Sequence, residues 1–137
     1  MDTPQISESS LTSTEYSEEP AIVCIDGNGL SEPQSITIVC IRIGNVVTIT
    51  IPQFTVRTNN TTIISTTTLP EAFRPRTDTT TLCTINTALD TNSNLNQVST
   101  FFLSVSGLFM FSCGFDGGNF KAGISGLDNT LSVTYIH

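Results

Sequence analysis

Histidine is almost missing from this chain: the single one, His137, is the last residue. A Ser-His-Asp or Cys-His arrangement would have to rest on it, at a terminus where fraying is expected, so nucleophilic catalysis of that kind is excluded. Basic charge is scarce, with five Lys and Arg in total. Without an aromatic-plus-Arg cluster there is no footprint for a phosphate backbone or an anionic membrane surface, so nucleic acid is not an expected ligand. Lys and Ala are also rare, and Glu is concentrated in the first twenty residues. No long amphipathic helix is therefore available. The four cysteines, Cys24, Cys40, Cys83 and Cys113, form no Cys-x-x-Cys pair and have only His137 for company. A zinc site is not expected, nor is any other metal or a cofactor. The cysteines read as buried free thiols or as disulfides. Charge is absent altogether between Thr91 and Phe115, which raises the question of a membrane span. Ser99, Ser104, Ser106 and Ser112 interrupt that stretch, and Ser106-Gly107 divides it as a hairpin turn would, so membrane insertion is not expected. The acidic, polar N-terminus shows no secretory signal.

What is abundant is Thr, Ser, Ile and Val, with eight Phe. β-branched and aromatic residues suit a pleated, half-buried surface, and the expectation is an all-β domain. The formal net charge is -7, and Asp2, Glu8, Glu15, Glu18 and Glu19 all fall within the first twenty residues, with no Lys or Arg against them. Residues 1–20 read as a flexible acidic leader, or as a segment that docks the domain onto a shaft or particle. Residues 21–137 read as a single domain, long enough to bury a core without metals or staples. The remaining acids, including Asp116 and Asp128, mostly stand beside Gly, Pro or Asn, which favours turn roles over a glycosidase pair.

Ala21 to Ile25 begins the strand-like part, and Asp26-Gly27-Asn28-Gly29 ends it as a turn. Ser35 to Ile43 and Val46 to Ile51 are β-branched runs across Gly44-Asn45, a two-residue hairpin turn. That turn predicts the pairs Ile43–Val46, Ile41–Thr48, Cys40–Ile49 and Ile38–Ile51, with Ile36, Ile38, Cys40, Val47, Ile49 and Ile51 on a core face. Pro52 stops the pairing. A looser strand is expected over Thr61 to Thr67, an irregular connection over Leu69 to Pro75, a strand over Thr79 to Thr87, and a surface loop over Leu89 to Asn96. Gln97 to Val105 and Leu108 to Cys113 form a second expected hairpin. A two-residue turn at Ser106-Gly107 would put Phe102, Phe109 and Phe111 on one face, and Phe101, Leu103, Val105, Leu108 and Met110 on the other. Strands apolar on both faces are central in a sandwich or buried between subunits. Phe101, Leu103, Met110 and Tyr135 are accordingly the candidate subunit-interface residues. The last strand spans Thr130 to Ile136. Several short strands with turn signals and no helix indicate a β-sandwich or jelly roll. Arg74 and Arg76 flank Pro75 in a rigid loop. They either tie that loop to Glu71 or Asp78, or face a neighbouring subunit or an acidic receptor sugar, and are the candidate surface-binding residues.

Ile43-Gly44-Asn45-Val46-Val47-Thr48-Ile49 before Pro52, then Leu69-Pro70-Glu71-Ala72-Phe73-Arg74-Pro75, a late Gly-rich hairpin and terminal Val133-Thr134-Tyr135-Ile136 together resemble the C-terminal head domains of viral fibre and collagen-like proteins. Such heads occur in phages, virophages and giant-virus relatives, and the resemblance covers roughly residues 30 to 137. It implies a jelly-roll β-sandwich of the tumour necrosis factor and C1q kind, assembled as a homotrimer on the virion surface after synthesis in the host cytoplasm. It also implies attachment to a host receptor or surface glycan, and contact with a capsid or fibre-shaft protein. A purely structural trimerisation or capsid-decoration module, and a carbohydrate-binding or carbohydrate-active domain, are the alternatives. The chain departs from the pattern in having no collagen Gly-X-Y tract.

Overall fold

A computed structural model describes residues 16–26, 34–89, 93–114 and 117–137, with Cys24 and Asp26 described by backbone alone. Among these residues, ten strands make the fold: β1 (Tyr16–Asp26), β2 (Gln34–Ile43), β3 (Val46–Ile51), β4 (Phe54–Thr58), β5 (Ile63–Ser65), β6 (Thr79–Ala88), β7 (Asn94–Leu103), β8 (Phe109–Ser112), β9 (Gly123–Leu127) and β10 (Leu131–Ile136), with one 3-10 turn at Glu71–Phe73. They form one antiparallel ladder in the order β10-β3-β2-β1-β5-β8-β7-β6-β9-β4. The ladder folds over on itself, so that Phe54 at its β4 end meets Phe111 of β8 with ring centroids 5.4 Å apart. The result is an all-β sandwich consistent with a jelly roll.

The first hairpin forms as its turn dictates. Gly44 supplies the positive φ (60°) that a tight two-residue turn requires, and the register runs Ile43↔Val46, Ile41↔Thr48 and Cys40↔Ile49. Ile36, Ile38, Cys40, Val47, Ile49 and Ile51 are all buried in the core. β10 then pairs on the far side of β3, with Tyr135 opposite Val47.

The second hairpin differs from expectation by one residue. Leu103 pairs with Phe109, and residues 104–108 form a five-residue loop closed by the Ser104 N–H donating to the Leu108 carbonyl, 2.9 Å. A slip of one residue exchanges the faces of a strand. Phe101, Leu103, Phe109 and Phe111 therefore point inward together, leaving Phe102 and Met110 half-buried outside. The loop is pinned from beyond the hairpin: the Leu69 N–H donates to the Gly107 carbonyl (3.0 Å), and the Asp78 carboxylate accepts from the Val105 N–H (3.0 Å).

Five residues expected in the leader belong to the sheet. Residues 16–20 are strand, from Tyr16 opposite Ile43 to Pro20 opposite Val39. Pro20 is tolerated because β5 joins β1 only at Ile25 and Asp26, so among the described residues no strand asks for its missing N–H. Residues 1–15, and most of the turn expected at 26–29, lie outside the described residues. The expected loop from Leu89 gives way to β7 at Asn94. The strand expected at Thr61–Thr67 shortens to Ile63–Ser65, while β4 and β9 arise where no strand was expected.

Candidate functional site

The segment from Leu69 to Arg76 lies across one end of the sandwich, beside the β2–β3 turn, the 104–108 loop and the end of β10. Phe73 and Pro75 are buried beneath it. The Tyr135 hydroxyl donates a short hydrogen bond to the Phe73 carbonyl. Burial is the main force that pushes the Tyr135 phenol up from its usual range, with the neighbouring Cys40 adding to it. The His137 N–H reaches the Asn45 carbonyl (2.8 Å), and its ring nitrogen Nδ1 lies 2.8 Å from the Arg74 carbonyl oxygen.

Both candidate arginines belong to this cap, and both bind backbone groups in place of the expected acids. Arg74, half-buried, donates from Nε to the Leu69 carbonyl (2.9 Å) and from Nη2 to Thr68 Oγ1 (3.3 Å). Arg76, exposed, donates from Nη2 to the His137 main-chain oxygen (3.1 Å), while its backbone N–H donates to the Ile136 carbonyl (2.8 Å). Gly107 packs against the Arg74 guanidinium. A Cβ there would lie 2.9 Å from Arg74 Nε, on a backbone with φ of 88°.

The candidate interface residues fare differently. Phe101 and Leu103 have no exposed surface and Tyr135 has 7%, so all three belong to the chain's own core and have nothing to offer a second copy. Met110 is half-buried on the outer face. An uncovered apolar row lies elsewhere, on the outer face of β1, β2, β3 and β10: Tyr16 (59% exposed), Ile43 (47%), Val46 (45%) and Ile136 (44%) stand side by side in register.

Sequence reasoning missed Arg42. It follows Ile36, Ile38 and Cys40 on the core-facing phase of β2, so it lies at the rim of the core opposite Ser17 and Val47. A charge in that phase, in a strand whose register Gly44-Asn45 fixes, is the signal that would have found it. Its Nε donates to the Gly44 carbonyl (2.7 Å), Nη1 to the Ala72 carbonyl (2.9 Å), and Nη2 to Asn45 Oδ1 (3.5 Å). Beside it is a cavity of about 190 Å³ lined by Tyr16, Ser17, Arg42, Gly44 and Ala72.

At the opposite end, Asn94 donates to the Ile124 carbonyl (2.7 Å) and to Asn86 Oδ1 (2.5 Å), and Asn86 donates to Asn96 Oδ1 (2.6 Å). Cys40, Cys83 and Cys113 are free thiols. Among the described residues, no group of three His, Cys, Asp or Glu side chains converges as a metal site would require, and no helix is long and apolar enough to cross a membrane. Within the uncharged stretch from Thr91 to Phe115, the described residues include β7 and β8.

No protein family and no curated protein matches the chain. Among solved structures it is similar to the reovirus attachment protein sigma1, determined in complex with α-2,3-sialyllactose. The likeness has a TM-score of 0.60 at 9% sequence identity and covers 90% of this chain and 66% of that one. It is a likeness of fold.

Proposed function

We propose that this chain is the head module of a viral fibre or spike, displayed on the virion surface and used for attachment to host glycans or a receptor. The observation that carries the reading is the match of nearly the whole sandwich to a viral attachment protein solved with a sialylated sugar. The residue inventory agrees with a binding role over an enzymatic one, since the only histidine is held by the cap backbone. We infer further that the sandwich is a jelly roll of the tumour necrosis factor and C1q kind and works as a homotrimer. The uncharged row Tyr16, Ile43, Val46 and Ile136 supports assembly, because a soluble chain gains by covering such a face with another copy.

Light scattering coupled to size exclusion, at low micromolar concentration with reductant, tests the assembly; a mass of three chains is expected. Binding of that species to host cells and to a glycan array tests attachment. A clean monomer that binds neither cells nor glycans would overturn the reading. A trimer that binds neither would reduce it to capsid decoration.

A further inference from the structure

Among the described residues, Arg42 is a cation with no anion of its own. Its three acceptors are two backbone carbonyls and one side-chain amide, none of them a carboxylate. A guanidinium carries five N–H donors, so these bonds leave one on each terminal nitrogen. The aliphatic stem is half-buried at the rim of the core, and the head is braced from the β2–β3 turn and from Ala72 of the cap. Holding a planar guanidinium at fixed orientation removes most of the ordering cost of recognising an anion. The open side of the group is the cavity walled by Tyr16, Ser17, Gly44 and Ala72.

From this geometry we propose that the Arg42 cavity binds the carboxylate of an acidic monosaccharide at the end of a glycan. The proposal rests on the attachment reading and names the ligand chemistry for it. A paired guanidinium and carboxylate is the strong form of a hydrogen bond at a half-exposed site. The volume, about 190 Å³, is below the roughly 300–1,000 Å³ of sites that enclose a drug-sized ligand, and it suits one terminal sugar in place of an extended chain. The Ser17 hydroxyl, on the cavity wall, offers a neutral partner of the kind that sugar hydroxyls need. With a chain charge of -7 working against any anion, a single site is expected to bind in the millimolar range, and linked copies would raise avidity by about 10²–10⁴.

The test is a two-dimensional NMR titration of the isotope-labelled full chain with the methyl α-glycoside of N-acetylneuraminic acid, set against its methyl ester, which lacks the charge. Saturable shifts at the amides of Arg42, Gly44 and Ala72 are expected with the acid and not with the ester. Arg42→Met keeps the stem and should weaken binding by about ten- to a hundredfold. Because Arg42 also braces the turn, Ser17→Glu is the second variant: it leaves the guanidinium in place, sets a competing carboxylate on the cavity wall, and should reduce binding without lowering the thermal midpoint. Equal shifts with acid and ester, shifts confined to other residues, or wild-type affinity in Arg42→Met would each overturn the site. Binding that emerges only in Glu15→Gln would also overturn it, since the guanidinium would then serve this chain's own carboxylate, one residue before Tyr16 in sequence. Loss of acid-sugar binding with cell attachment intact removes this site and leaves the attachment reading standing; loss of both removes the reading as well.

Discussion

Phe111 is the side chain on which the most aromatic contacts converge, meeting Phe54, Phe101 and Phe109 at centroid distances of 5.4, 5.0 and 5.9 Å. It has no exposed surface, and the surrounding rings come from three strands that cannot all collapse into the space it would leave. Phe111→Ala is expected to cost about 3–5 kcal/mol in urea unfolding, with little change in the denaturant slope. Tyr135→Phe tests a polar contact of the same depth. It strips the Phe73 carbonyl of its donor and should cost about 1–2 kcal/mol by the same measurement. The buried thiols give a pH dependence of definite sign. Burial, with a contribution from Glu19 at Cys40, raises Cys40 and Cys83 from 9.0 to about 11. Each then holds its proton in the folded chain where the unfolded chain has released it, so stability is full below about pH 9 and lost between pH 9 and pH 11. The slope should approach about 1.4 kcal/mol per pH unit for each thiol, and Cys83→Ala should make it shallower in urea midpoints measured from about pH 8 to pH 11.

Among the elements, the two hairpins explain what a sequence can and cannot disclose. β2 and β3 were legible because one face is apolar from Ile36 to Cys40 and from Val47 to Ile51, with only Arg42 at its rim, and the Gly44-Asn45 turn leaves a single register that buries it. β7 and β8 carry Phe, Leu or Met on both faces, so either of two registers would bury apolar surface. The choice is made by partners distant in sequence, Leu69 and Asp78, which hold residues 104–108 as a loop. β1 was read too short because Pro20 and its acidic neighbours look like breakers, and only the unpaired edge in the structure shows why they are not. β9 was hidden by its glycines. Gly126 pairs with Thr55 of β4 so closely that a Cβ would lie 1.9 Å from the Phe54 carbonyl oxygen. Gly126→Ala is therefore expected to separate β4 from β9 and to abolish a dispersed amide spectrum, where an alanine in an ordinary strand would be tolerated. The candidate arginines were found by their flanking of Pro75, but the cap they build was not legible, since their acceptors are carbonyls that composition does not reveal.

Over the whole molecule, an acidic chain can meet its own copies most easily where charge is absent, and the outward residues of β2, β3 and β10 described here are Thr, Ser, Val and Ile. Val46→Glu places a carboxylate between Ile43 and Ile136 in the apolar row at the turn end of that face. On the proposed homotrimer it should lower the solution mass from three chains to one while shifting monomer stability by no more than about 0.5 kcal/mol, read by light scattering and urea unfolding together. The same face also bears on force. β1 and β2 are joined in register over ten residue pairs, from Tyr16 to Ile25, and their hydrogen bonds run across the strands. Tension entering the domain at Tyr16 while the opposite end is held acts along β1, so it loads these bonds in shear and all of them share it. Tension applied across the Gly44-Asn45 turn would instead open β2 and β3 one pair at a time. A domain pulled by its first strand should thus hold at forces that would unzip it if pulled by a hairpin.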